Sequence, residues 1–345
     1  MTAMHPPARR KAVILLSGGL DSTLAARMIA DQGIEVHAIH FTSPFCTCDR
    51  PGKGAGAGCH SQARIVADRM GIPIRTVSKG EEYLELIRSP RHGRGKGMNP
   101  CIDCRVFTLR KAREFMEEIG ASFLVTGEVI GQRPMSQRDD ALRSIEKHSG
   151  CADIVLRPLC ARHMPPTLPE REGWVDREKL LAIQGRSRKD QMRLAEEWKI
   201  GDYPCPAGGC LLADRTFSVK VRDLVERQPG FGMFDVNLLK IGRHFRVGAV
   251  KAVVGKSQEE NRRLEALCRG KIAVYVSESH PGPSVALIGG DPSERMEVLS
   301  RILTRYSDMA RPGPFEVREL SPDGERTVRV PENRDFGEVG HGLLC

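Results

Sequence analysis

Through the first two hundred residues, short apolar runs alternate with amphipathic stretches of helical period. "KAVILL" reads as a buried strand, "STLAARMIADQG" as a helix ended by Gly33, and "IEVHAIHF" as a second strand. "SQARIVADRMG" has the helical period and "PIRTVS" that of a strand. "FTLRKAREFMEEIG" and "ASFLVTGE" repeat the pair. Strands that alternate with helices predict βαβ units, hence a parallel sheet flanked by helices. Ligands of such sheets bind beyond the carboxyl ends of the strands, where Ser17 and Thr126-Gly127 fall. Two basic, glycine-rich excursions, "CTCDRPGKGAGAGCH" and "SPRHGRGKGMNP", break the pattern and are expected as loops over that edge.

Beyond Phe217 the pattern changes. "LLKIGRHFRV", "KAVVG", "KIAVYV" and "SVALIGG" read as short strands. Two helices with capping signatures lie among them, one opened by Ser257 with Glu260, the other by Asp291-Pro292 with Glu294. The expected organisation is an α/β domain over 1–215, a linker over 216–234, a small α+β module over 235–312 and a patternless tail over 313–345.

A chain of 345 residues accommodates two such domains and buries a core without staples. With Lys+Arg 53 against Asp+Glu 44, the formal charge of +9 favours an anionic partner, RNA ahead of a membrane surface. An aromatic share of 5% argues against a binder that works by stacking on single strands. The apolar segment near the N-terminus, about five residues, is too short for a signal-peptide core or a membrane span, so a reducing, cytoplasmic setting is expected. There, eleven cysteines point to metal ligands or reactive thiols rather than disulfides.

The turn Ser17-Gly18-Gly19-Leu20-Asp21-Ser22, after a strand and before a helix, suits a phosphate cradle: glycines allow close approach, and the helix N-terminus supplies amides. Asp21 beside phosphate calls for a bridging cation, Mg²⁺; otherwise it is a plain cap of a glycine turn. Cys101 and Cys104 form a C-x-x-C before a helix, and Cys205 and Cys210 stand in the turn "YPCPAGGC"; four thiolates on two short turns suit one metal centre. At a helix N-terminus Cys104 is also suited to be a reactive thiolate. Cys46, Cys48 and Cys59 with His60 read as a second metal group or as free loop thiols, while Cys151, Cys160 and Cys268 read as packing residues. Arg94 and Lys96 stand beside the C-x-x-C turn. Arg243, Arg246 and Lys251 concentrate charge in the C-terminal module; each is a phosphate contact or part of a solvated face.

"SGGLDS" resembles the signature of the PP-loop ATP pyrophosphatases, with their adenine nucleotide α-hydrolase-like fold. "CIDCRVFTLRKAREFMEEIGASFLVTGEVIGQRPMSQ" followed by "VLRPL" is similar to the tRNA 4-thiouridine synthetases, and "GKGMNPCIDC" to the tRNA 2-thiouridine synthases. "IGRHFR…KAVVGKSQEEN" resembles the RNA-binding module of the NFACT proteins. The resemblance implies ATP and Mg²⁺ at Ser17, Gly18, Gly19, Asp21, Ser22, Thr126 and Gly127, with tRNA as substrate. It also implies a sulfur donor such as a cysteine desulfurase or sulfide. A uridine carbonyl oxygen would be adenylated, and sulfur delivered on Cys104 or on a cluster would then displace AMP. On the cysteines the resemblance adds a three-cysteine [4Fe–4S] cluster to the alternative of a four-cysteine Zn²⁺ site, and aligns Cys104 with a catalytic cysteine. The rivals are a PP-loop ligase that adenylates a small molecule and uses ammonia, and a non-catalytic, zinc-stabilised RNA-binding protein. A thiol pair next to "TGEVIGQ" weighs against the first, an intact loop signature against the second. The resemblance includes no THUMP-like stretch before the loop and no rhodanese-like stretch after it.

Overall fold

The computed structural model describes residues 10–47, 59–201, 209–307, 313–336 and 344; the side chains of 59–61 lie outside that description. The chain divides into two compact units, Met1–Ala213 and Asp214–Cys345.

The first unit is a five-stranded parallel sheet with strand order β3-β2-β1-β4-β5. Its strands are β1 (Lys11–Leu15), β2 (Glu35–Thr42), β3 (Ile74–Ser78), β4 (Phe123–Val125) and β5 (Val155–Leu156). Between and after them come helices α1 (Leu20–Ala30), α2 (Cys59–Met70), α3 (Glu81–Arg88), α4 (Cys101–Glu118), α5 (Asp139–Ser149), α6 (Leu168–Arg171) and α7 (Lys189–Glu197). The near-continuous apolar run of β1 is explained by burial on both faces. Ala12 and Ile14 pack with Leu20, Leu24 and Ile29 of α1, whereas Val13 and Leu15 pack with Val106, Leu109 and Phe115 of α4. Because the strands are parallel, the segments after β1, β2, β3, β4 and β5 emerge at one sheet edge. The strand order reverses between β1 and β4, where open sheets of this kind form their ligand crevice. Helix α4 begins at Cys101, so the C-x-x-C lies in its first turn.

The second unit is a six-stranded antiparallel sheet, order β11-β10-β8-β9-β7-β6, with helices α8 (Arg215–Arg227), α9 (Met233–Leu238), α10 (Gln258–Cys268) and α11 (Pro292–Tyr306). Its strands are β6 (Arg243–Val247), β7 (Val250–Val254), β8 (Val274–Ser277), β9 (Val285–Ile288), β10 (Phe315–Ser321) and β11 (Gly324–Val330). Both expected caps are present: the Ser257 hydroxyl accepts from the Glu260 amide, and Asp291 and Glu294 close a capping box. Two sequence expectations need correction. The stretch 216–234 is not a linker, since α8 occupies most of it and buries Phe217, Val221 and Leu224. Nor is 313–345 patternless, because 315–330 form a hairpin whose Phe315, Val317 and Val330 complete the core. Its outer strand is exposed at most positions and buries one end only, which hides the strand period. Among the described residues no helix is long and apolar enough to cross a membrane.

Candidate active site

The turn after β1 owes its shape to two close approaches. Gly18 has φ +76°, and a Cβ there would stand 2.5 Å from the Ala63 amide nitrogen of α2. A Cβ on Gly127, just after β4, would stand 2.5 Å from the backbone of Asp21. No side chain can be added at either position without moving a helix. Gly19 caps α1 without a side chain, which leaves the first-turn amides uncapped and facing the crevice end of β1. The Ser17 and Ser22 hydroxyls lie 3.0 Å apart, and Ser22 donates to the Gly19 carbonyl at 2.9 Å. Asp21 is engaged on both oxygens: Gln132 donates to one at 2.9 Å, and the Arg188 guanidinium meets the other at 3.2 Å.

Thr126 is buried and gives its hydroxyl to Glu128 at 3.1 Å, so its side chain braces the loop rather than facing a ligand. Glu128 is itself buried between Arg105, at 2.6 Å, and Arg157, at 3.2 Å, and Arg157 also pairs with Glu146. Burial acts to raise the Glu128 carboxyl, but the two guanidiniums outweigh it and hold the pKa below the ordinary value.

The C-x-x-C turn meets a cation supplied by another strand. Lys79 follows β3, is buried, and donates from Nζ to Cys104 Sγ at 3.0 Å. Burial alone would raise the Cys104 thiol. The Lys79 ammonium, a hydrogen bond from Tyr83 and the Arg105 charge reverse that and lower it. Tyr83, buried and beside the Cys104 thiolate, is pushed well above the usual tyrosine range. Cys101 accepts from Asn99 Nδ2 at 3.1 Å. Cys210 is brought to the same place by a strand-like pairing of 209–211 with 45–47. Desolvation, with the neighbouring Cys104 and Cys101 sulfurs adding to it, drives its thiol up to about 11. Cys205 and Cys48 lie outside the described residues, as do the side chains of Cys59 and His60. Among the described residues no group of three His, Cys, Asp or Glu stands in a metal-holding arrangement. Cys151, Cys160 and Cys268 are fully buried packing residues whose thiols burial pushes up, to about 11 for Cys160 and about 12 for Cys268.

The basic residues divide. Lys96 is exposed, while Arg94 turns its guanidinium onto the Ile87 carbonyl at 2.8 Å, closing the C-terminus of α3. In the second unit Arg243 lies over the Tyr306 ring at 5.1 Å. Arg246 and Lys251 correct the sequence expectation. Both point to the buried carboxylate of Asp223 on α8, Arg246 with two bonds of 2.8 Å and Lys251 at 3.2 Å, and Lys251 is only 2% exposed. They hold the helix to the sheet, while nearby Lys256 and Arg262 are exposed. Sequence reasoning missed Lys79, Tyr83 and Arg188. Each sits just outside or within a segment of different period, and only the sheet edge unites them.

Residues 8–163 match the family described as "Thiamine biosynthesis protein (ThiI)", and residues 242–334 the family described as "NFACT protein RNA binding domain". Among curated relatives, the tRNA-specific 2-thiouridylase MnmA of Marinobacter nauticus is 24% identical over 238 residues, 66% of this chain and 57% of its own length. That of Geobacter metallireducens is 34% identical over 144 residues, 36% of each chain. Across eight curated relatives, this chain spans between 33% and 66% of their length. A crystal structure of a 4-thiouridine synthetase–RNA complex with bound ATP aligns over 67% of this chain and 52% of that one, at 23% identity and a TM-score of 0.36.

Proposed function

We propose, for a chain whose residues 8–163 form a domain of the ThiI family and whose residues 242–334 form an NFACT-type RNA-binding domain, the ATP-dependent thiolation of a uridine in tRNA. The observation that carries this reading is the Cys104 sulfur, which accepts from Lys79 Nζ at 3.0 Å at the same sheet edge as the Ser17–Ser22 turn. An adenylating loop that served an ammonia-dependent ligase would have no use for a cysteine beside a lysine there.

In this reading the α1 amides and the Ser17 and Ser22 hydroxyls receive the phosphates of ATP. Asp21 would hold Mg²⁺, which would neutralise phosphate charge when bound, and Arg188, which meets Asp21 at 3.2 Å, is placed to face the departing diphosphate. The uridine carbonyl oxygen attacks the α-phosphate, diphosphate leaves, and the oxygen becomes part of a good leaving group. The terminal sulfur of a persulfide, loaded onto Cys104 by a sulfur donor, then attacks the activated carbon and AMP departs, leaving the base joined to Cys104 through an S–S bond. A thiol attacks the Cys104 sulfur, thiouridine leaves, and a second thiol reduces the resulting disulfide to restore Cys104. Cys101, Cys104 and Cys210 lie within electrostatic reach of one another, but among the described residues no three donors stand in a metal-holding arrangement, so the steps above use the Cys104 sulfur and no metal.

Mass spectrometry of tRNA nucleosides from cells with and without the gene tests the reading, with loss of one thiouridine expected. In vitro, Asp21→Ala is expected to stay folded and lose pyrophosphate release by at least about 100-fold. Unchanged release in that variant would remove Asp21 from the nucleotide site. RNA affinity tests the second unit. Replacing exposed Lys256 and Arg262 by Gln should flatten the dependence of log K on log salt by roughly 0.7 to 0.9 for each phosphate left without its cation. An unaltered slope would place the RNA surface elsewhere.

A further inference from the structure

Cys46 has no part in the chemistry above, yet its position is specified by backbone pairing. The segment 45–47, which follows β2, runs antiparallel to 209–211. The Leu211 amide donates to the Phe45 carbonyl at 2.7 Å, and the Thr47 amide to the Gly209 carbonyl at 3.1 Å. Those two bonds lie on either side of the Cys46–Cys210 bridge, which makes it the non-hydrogen-bonded position of an antiparallel ladder. At that position the two Cα atoms are about 4.5 Å apart and both side chains leave the same face. A disulfide needs a Cα separation of about 4.4 to 6.8 Å.

We propose that Cys46 and Cys210 are a redox pair that closes a disulfide under mild oxidation, joining the β2 exit to the 209–213 segment. The overall reaction with a low-molecular-weight disulfide is balanced. A Cys46 or Cys210 thiolate attacks the external disulfide and one external thiol leaves. The second cysteine then attacks the mixed disulfide, the other external thiol leaves, and the two protons of the cysteines end on the released thiols. Both cysteines are oxidised and the external disulfide is reduced.

Several observations suit the pair to this chemistry. Cys210 is an exposed residue, and Cys46 is partly buried beside it. The pairing is further anchored by Thr47, whose hydroxyl accepts from the Gly209 amide at 3.0 Å, so closing the bond requires no strand displacement. Closure also has a consequence. Cys210 is within electrostatic reach of Cys101 and Cys104, and a disulfide to Cys46 removes its thiol from that group. Oxidation would therefore leave Cys104 beside Lys79 but without Cys210 as a neighbouring thiol.

Disulfide closure needs neither tRNA nor ATP, so its test stands apart from the thiolation reading. Full-length protein is reduced, desalted in a chelator without oxygen and equilibrated in glutathione buffers of rising oxidised fraction. Remaining thiols are then alkylated and the disulfides mapped by mass spectrometry without reduction. The expected first linkage is Cys46–Cys210, forming while the buried Cys151, Cys160 and Cys268 remain alkylatable only after unfolding. Cys46→Ser is expected to abolish that linkage and leave Cys210 as a free thiol or as an unresolved mixed disulfide with glutathione. First closure between Cys101 and Cys104, between Cys104 and Cys210, or through Cys205, with Cys46 still reduced, overturns the proposal.

Discussion

Cys104→Ser is expected to lower tRNA thiolation by on the order of 10³-fold or more, the scale lost when a covalent carrier is removed, while ATP binding and thermal stability stay as in the wild type. The reason lies in what the fold does to this thiol. Desolvation opposes the thiolate. The Lys79 ammonium at 3.0 Å, the Tyr83 hydroxyl and Arg105 together outweigh it and bring the pKa below that of an ordinary thiol. Lys79→Met removes the largest favourable contribution and leaves burial in place, so the thiol should rise. In metal-free protein the midpoint of Cys104 alkylation by iodoacetamide should then move to higher pH. Each unit of rise costs about tenfold of the thiolate present at neutral pH, and the thiolation rate should fall in step. Lys79→Arg, which keeps the charge, should recover part of both. An identical alkylation profile in Lys79→Met would show that the ammonium does not set the reactivity of Cys104.

The second large effect is expected in the other unit. Asp223→Ala leaves Arg246 and Lys251 partly or wholly buried without their counter-charge, a destabilisation of about 3 to 5 kcal/mol. In a unit of this size that lowers the midpoint of thermal unfolding by roughly 10 °C or more. Replacing the whole cluster with Asp223→Leu, Arg246→Met and Lys251→Met should restore much of the stability, because an apolar cluster leaves no uncompensated charge. The sign of the pH dependence follows from Asp223. Burial would raise its carboxyl, but the Arg246 bonds and the Lys251 charge depress it below the ordinary range. Its contribution is therefore complete above the unfolded carboxylate pKa, near about pH 4, and is lost as pH falls through the lower folded value. Asp223→Asn should flatten that acid limb. Denaturant midpoints measured from pH 7 down to pH 2 read it directly, and a parallel acid limb in both proteins would remove Asp223 as its source.

Local pattern makes some of this molecule legible. Val13 to Leu16 must be a strand buried on both faces, because a run that apolar has no polar side to expose, and a strand leading through two glycines into an amphipathic helix leaves few alternatives to a ligand-binding turn. The capped helices at Ser257 and Asp291 are equally readable, since a cap is settled by residues three apart. The C-x-x-C can be placed at a helix start, but nothing near it in sequence names its partner. Lys79 reaches Cys104 only because β3, β2 and β1 lie side by side in one parallel sheet, whose crossovers deliver residues 25 apart to the same edge. The meeting of Asp21 with Arg188, 167 residues away, depends on the same edge. Arg246 and Lys251 are misread from sequence for a related reason. Alternating positive residues on strands look like an exposed basic face until the sheet is known to be covered by α8, whose Asp223 makes that face an interior. Periodicity decides which side of an element is apolar; which charges meet across elements is decided by strand order and crossover, and those are tertiary.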